Sequence, residues 1–244
     1  MLLLIKQLRK AILTGSCLGY IIITWYPQPL MAQEQTRPPI CEGNPPTGRV
    51  KCNYPDSGDN YVGDFVNGRP EGSGIYVYAN RDRYEGQFRN GLPNGQGTFI
   101  FSNDARVTGI FQNGKIRSGT IIFANGDRYE GEFDLVTDIS SGVTSSQADG
   151  QGRFIYANGD RFEGEFFAGD PFGPGVFTRA NGIRCQGDFY NEVLDGKGTC
   201  TYPNGIRYEG ELRGGIPHGI GVIIDTEGKR FPGVFRNGQR QEET

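Results

Sequence analysis

The chain has 244 residues, 25 Lys and Arg against 28 Asp and Glu, and a formal net charge of −3. That balance leaves no basic excess for neutralising phosphates, so nucleic acid is not an expected partner. Any Ser-His-Asp or Cys-His set would have to use the single histidine, and 39 glycines, about twice usual usage, point to a chain full of turns.

The first ten residues carry Lys6, Arg9 and Lys10 and no acid. "AILTGSCLGYIIITWY" (11–26) is mostly apolar, and Pro27 and Pro29 end it. "LMA" closes at Ala32 with a small residue. This is the layout of a secretory signal peptide over 1–32, which predicts an exported (periplasmic or extracellular) chain starting at Gln33. An uncleaved signal anchor through residues 11–26 is the alternative. Cleavage would take three positive charges and no acid, moving the formal charge from −3 to −6.

Residues 33–47, "QEQTRPPICEGNPPT", read as a Pro-rich linker. From residue 48 to 238 one phrase recurs: aromatic-x-Gly-x-Phe, as in "NGDRYEGEF" (125–133) and "NGDRFEGEF" (158–166). Its first position falls at Tyr61, Tyr84, Val107, Tyr129, Phe162, Cys185, Tyr208 and Phe231, a period of 23 broken once by 22 and once by 33. The long interval contains the Ser/Thr-rich insertion 135–149, expected as an exposed loop. Residues 239–244 form a polar tail.

Numbering the aromatic as slot 0, each repeat reads as two strands. The first alternates at period two, so Tyr129, Gly131 and Phe133 face one way and Glu130 and Glu132 the other. The second runs over slots +13 to +18, after a Gly-rich turn such as "NGLPNG" (90–95). Asn-Gly follows near +19, a hairpin signal. If +4 pairs with +13, then Tyr84, Gly86, Phe88, Gly97, Phe99 and Phe101 share one face. Glycine there makes room for a ring to lie flat on backbone. Arg at −1 and acids at +1 and +3 interleave on the other face.

The "YEGEF"-type starts, the "NG" turns and "GxG" before an aromatic strand, together in "YEGQFRNGLPNGQGTFIF" (84–101), resemble the MORN-repeat family over about 48–238. The resemblance implies an all-β, elongated, single-layer antiparallel sheet of stacked β-hairpins. One function associated with that family is binding acidic phospholipids. The longest basic clusters here are only "RDR" and "KIR", which weakens that reading.

Four cysteines remain beyond residue 32: Cys41, Cys52, Cys185 and Cys200. An even number in an exported chain suggests disulfides, with three connectivities open. The favoured pairing is Cys41 with Cys52 and Cys185 with Cys200, the latter as diagonal neighbours at 0 and +15. The competing reading makes Cys185 and Cys200 small apolar residues in aromatic slots.

No catalytic motif accompanies the repeats. His218 stands in "GIPHG", a turn slot; the dispersed cysteines and one histidine offer no metal set; the recurring acids mark architecture. No cofactor is expected. The reading is a non-enzymatic exported scaffold or protein-interaction module, binding a protein partner or a second copy of itself. The alternatives are a membrane-surface module that contacts lipid and an envelope-polymer or carbohydrate binder. The expected partner face is an exposed aromatic stripe: Tyr76, Tyr78, Phe99, Phe101, Phe154 and Tyr156 at slots +15 and +17.

Overall fold

The computed structural model describes residues 22–23, 37–43, 45–137, 144–190 and 193–241. The segment 1–32 expected as a signal peptide lies outside the described residues except Ile22–Ile23, a two-residue strand, β1. The described residues form two compact units, one ending at Ser146 and one beginning at Gln147. Among them there is no helix.

The first unit contains β2 (Ile40–Gly43), β3 (Gly48–Tyr54), β4 (Asp59–Val66), β5 (Arg69–Val77), β6 (Arg83–Arg89), β7 (Leu92–Ile100), β8 (Arg106–Gln112), β9 (Lys115–Ile122) and β10 (Arg128–Thr137). Each pairs antiparallel with the next. β11 (Thr144–Ile155) leads into the second unit, followed by β12 (Arg161–Phe167), β13 (Asp170–Thr178), β14 (Arg184–Tyr190), β15 (Val193–Thr201), β16 (Arg207–Arg213), β17 (Ile216–Ile224), β18 (Arg230–Arg236) and β19 (Gln239–Arg240). These too pair in chain order. Each unit is therefore a run of stacked hairpins in one antiparallel sheet.

The register differs from the sequence reading. Tyr84 stands opposite Phe99 and Gly86 opposite Gly97, so slot 0 meets +15 and +2 meets +13. The turn is tighter than expected: Asn90 and Gly91 take φ of 50° and 83° as a two-residue hairpin loop between Arg89 and Leu92. The second strand thus begins at slot +8. The extra residues are absorbed by a bulge beyond Gly86, where Phe88 meets Pro93 and Gly95 adopts φ 104°. A shift of two residues leaves the faces unchanged.

Three boundaries also differ. β2 lies within the expected linker 33–47, held to β3 by Cys41 opposite Cys52. The expected insertion loop 135–149 is largely strand: β10 reaches Thr137, β11 starts at Thr144, and Ser145, Ser146, Gln147 and Ala148 are buried. The expected tail contains β19.

The core is the aromatic face. Tyr84 lies 5.1 Å from Phe88 of its own repeat and 5.2 Å from Phe111 of the next, both edge to face. Phe162 repeats this with Phe166 at 5.2 Å and Phe189 at 4.8 Å. Edge-to-face pairs contribute about 0.5–1.5 kcal/mol each beyond area burial. The rings can tilt this way because each lies across glycine. A Cβ on Gly97 would stand 2.5 Å from Tyr84 Cζ, and one on Gly175 2.5 Å from Phe162 Cζ.

Candidate functional site

The repeated polar residues are occupied in holding hairpins together. The slot 0 hydroxyl donates to the carbonyl three residues on: Tyr61 to Asp64 at 2.6 Å, Tyr129 to Glu132 at 2.9 Å and Tyr208 to Glu211 at 2.7 Å. The slot +3 side chain caps the bulge. The amides of Ser73, Gln96 and Ile220 donate to Asp64, Gln87 and Glu211 at 3.0, 3.0 and 3.3 Å. At one rim the slot +21 carboxylate accepts from the next repeat: Ala79 N donates to Asp59 at 2.9 Å and Ala180 N to Asp160 at 2.8 Å. At the other rim, Asn90 N donates to Glu71 at 2.8 Å and Gly214 N to Asp195 at 2.6 Å. Arg83 pairs with Glu85, Arg128 with Glu130, and Glu209 with both Arg207 and Arg230. The two arginines, Arg230 foremost, hold Glu209 below the ordinary glutamate range.

Among the described residues no three His, Cys, Asp or Glu side chains cluster as a metal set. His218 is half-buried in β17, and its Nδ1 makes no hydrogen bond among the described residues. Both expected disulfides are present: Cys41 to Cys52, and Cys185 to Cys200. Cys185 and Cys200 are directly opposite each other, a correction to the diagonal placement that follows from the register. With no ring at slot 0 of that repeat, leucines cover the glycines: Leu194 Cδ1 would meet a Cβ on Gly187 at 2.6 Å, and Leu212 Cδ1 one on Gly198 at 2.7 Å.

The aromatic stripe is not exposed in the way its sequence pattern implies. Tyr76, Phe99, Phe154 and Tyr156 are buried, at 1, 2, 3 and 7% exposure, and Tyr78 and Phe101 are half-buried. In the first unit they pack in series, Tyr76–Tyr78 at 4.7 Å, Tyr78–Phe99 at 5.6 Å and Phe99–Phe101 at 4.7 Å, and in the second Phe154 packs on Tyr156 at 4.6 Å. Tyr76 also donates to Asp59 at 2.7 Å. Glycine-backed rings tilt onto their neighbours, so repeats cover one another's aromatic faces.

Exposed rings occur elsewhere, on the hairpin-turn rim of the second unit. Phe167, Phe172 and Tyr190 are 62, 41 and 66% exposed. They touch in series, Phe167–Phe172 at 5.8 Å and Phe172–Tyr190 at 5.6 Å. Val193 and Ile216, at the starts of the next two second strands, are exposed as well. Sequence reasoning missed this cluster, but a signal existed. Slot +5 holds Val66 in the first repeat and Arg89, Gln112, Asp134, Arg213 and Arg236 in the others, and the rings Phe167 and Tyr190 depart from that mostly polar pattern. Between Phe167 and Phe172, burial pushes the Asp170 carboxyl up to about 6, and its Oδ1 makes no hydrogen bond among the described residues.

The MORN repeat family model matches residues 61–83, 84–106, 146–161, 162–184, 185–207 and 208–230. No curated protein matches. Among solved structures, the chain is similar to the CPAP G-box domain (14% identity, 81% of this chain and 99% of that one, TM-score 0.38). It is also similar to the TCP domain of Drosophila melanogaster SAS-4 (12%, 81% and 90%, TM-score 0.34) and the TCP10 domain of Danio rerio CPAP (13%, 79% and 81%, TM-score 0.39). Likenesses at these TM-scores decide nothing about what the chain binds. Six matched repeats span more than half its length and coincide with the hairpins, so the chain belongs to the MORN-repeat family.

Proposed function

We propose that the chain is a non-catalytic, exported interaction module that docks a protein partner on the Phe167–Phe172–Tyr190 rim. The observation that carries this is the contact between three solvent-facing rings at slots that are mostly polar in other repeats. Large aromatic anchors tend to dominate interface energies, and contiguous exposed apolar surface marks interaction sites. The polar slots that recur through the repeats are spent on caps and inter-repeat hydrogen bonds. Two disulfides support export, because such bonds persist in oxidising compartments. Within the original stripe, only Tyr78 and Phe101 leave ring surface for a partner.

The test is crosslinking and capture from the native envelope with three proteins: the parent, Phe167→Ser/Tyr190→Ser, and Tyr76→Ser. The rim variant is expected to lose capture while keeping the parent's melting temperature. Tyr76→Ser is expected to lose stability. Equal capture by a folded rim variant would defeat the reading. Rim-dependent retention on salt-washed membranes, or on envelope polymer with no protein crosslinked, would replace the protein partner with a lipid surface or a carbohydrate.

A further inference from the structure

β18 pairs with β17 from Arg230 to Phe235 but with β19 only through Phe235 and Arg236. Among the described residues, nothing pairs with the rest of its outer side. A free strand edge is a template for another chain. The face beside this edge is apolar: Ile220 and Val234 stand opposite each other, 71 and 55% exposed.

From Pro232 to Arg236 the edge is nevertheless closed chemically. Gln241 N donates to the Val234 carbonyl at 2.8 Å, so Val234 turns its backbone groups away from β17. Alternate residues of a strand point theirs the same way, so Pro232 also faces outward. Proline has no N–H to offer. The corresponding slot +1 holds Glu85, Thr108, Glu163, Gln186 and Glu209 in other repeats, and no other repeat has proline there. The Pro232 carbonyl is also taken, since Arg240 Nη2 donates to it at 2.6 Å. Arg240 then occupies the place of a further strand: a Cβ on Gly233 would meet its Nε at 2.6 Å. In preceding repeats that side of the glycine belongs to the slot +13 glycine, as Gly221 serves Gly210.

We propose that Pro232, Arg240 and β19 form a built-in stop that prevents a second copy of this chain from continuing the sheet at β18. The stop acts on strand addition alone and leaves the aromatic rim of the same unit free.

The experiment uses the full chain and two uncapped variants. One keeps the length, Pro232→Glu/Arg240→Ser. The other carries Pro232→Glu and ends at Gly238. Sedimentation velocity over a concentration series is combined with amide hydrogen exchange at residues 230–236. For the variants, the weight-average mass is expected to rise about twofold or more with concentration as copies pair edge to edge. Exchange at β18 should slow in step, while the parent's mass and exchange stay constant. Folded variants that keep the parent's mass would overturn the proposal, as would assembly that leaves β18 exchange unchanged. A parent already protected at β18 in a concentration-dependent way would overturn it too. Loss of the β-sheet circular dichroism signal in both variants would do the same, by showing that these residues hold the fold rather than stop it.

Discussion

The Tyr84 ring lies where a side chain on Gly97 would have to stand: a Cβ there would be 2.5 Å from Tyr84 Cζ and 2.6 Å from Cε2. The ring is held in that place by its own hydroxyl, which donates to the Gln87 carbonyl at 3.1 Å. Glycine and tyrosine are therefore one device, found at Tyr61 and Tyr84 of the first unit and at Tyr208 of the second. Gly97→Ala is expected to cost about 3 kcal/mol, because a buried ring hemmed in by Phe88 and Phe111 has nowhere to move. Tyr84→Phe, which keeps the ring and loses one hydrogen bond, should cost about 1 kcal/mol. Urea unfolding of the two variants checks the order; equal losses would show that the ring can leave Gly97.

The slot +3 side chains separate two roles that one charged face conceals. Gln87 Oε1 accepts from Gln96 N at 3.0 Å beside the bulge glycine Gly95. Gln87→Leu removes that acceptor and should cost about 1 kcal/mol. Glu85→Gln, which weakens the exposed pair with Arg83, should change stability by less than about 0.5 kcal/mol. Paired unfolding curves at moderate salt decide it, and a larger loss for Glu85→Gln would reverse the assignment.

These two devices show how far the sequence carried. The period, the strands and the aromatic–glycine face were all present in "YEGQFRNGLPNGQGTFIF" as alternation and turn residues. The register was not, because "NGLPNG" offers two Asn-Gly pairs and only the tertiary bulge shows that Asn90-Gly91 turns the chain. The burial of Tyr76 and Phe99 was not visible either. Period-two patterning assigns a face but gives no tilt, and tilt is what lets neighbouring repeats cover those rings. The exposed rim was visible in principle, as Phe167 and Tyr190 in a slot that is arginine in three other repeats.

The Cys185–Cys200 bond replaces an aromatic pair at the centre of the second unit, with its ends 15 positions apart in the chain. Closing a loop of that length is worth about 3 kcal/mol in the chain-entropy account. Cys185→Ala/Cys200→Ala should therefore lose about that much and leave two oxidised cysteines, Cys41 and Cys52. Thiol titration of the unfolded, unreduced parent is expected to find no free thiol among these four. Two or more free thiols in exported material would contradict the disulfides and weaken export with them.

Asp170 sets the expected pH response of the rim. Burial raises its carboxyl from an ordinary 3.8 to about 6, so the folded chain binds this proton more tightly than the unfolded chain. By linkage, the stability from this group is fully present below pH about 4 and is lost as pH rises through about 6. Above that range the carboxylate of this half-buried residue, which stands opposite Phe167 in the hairpin, is charged with Oδ1 making no hydrogen bond among the described residues. Asp170→Asn abolishes the ionisation while keeping the size. At pH 7 the variant should be more stable than the parent by about 1 kcal/mol, discounted for the site's partial exposure, and at pH 4 the difference should vanish. Melting curves of both proteins at pH 4, 5, 6 and 7 give the comparison. A gap that is constant across the series would mean that Asp170 does not titrate between 4 and 6, and that its carboxylate is solvated in the folded chain.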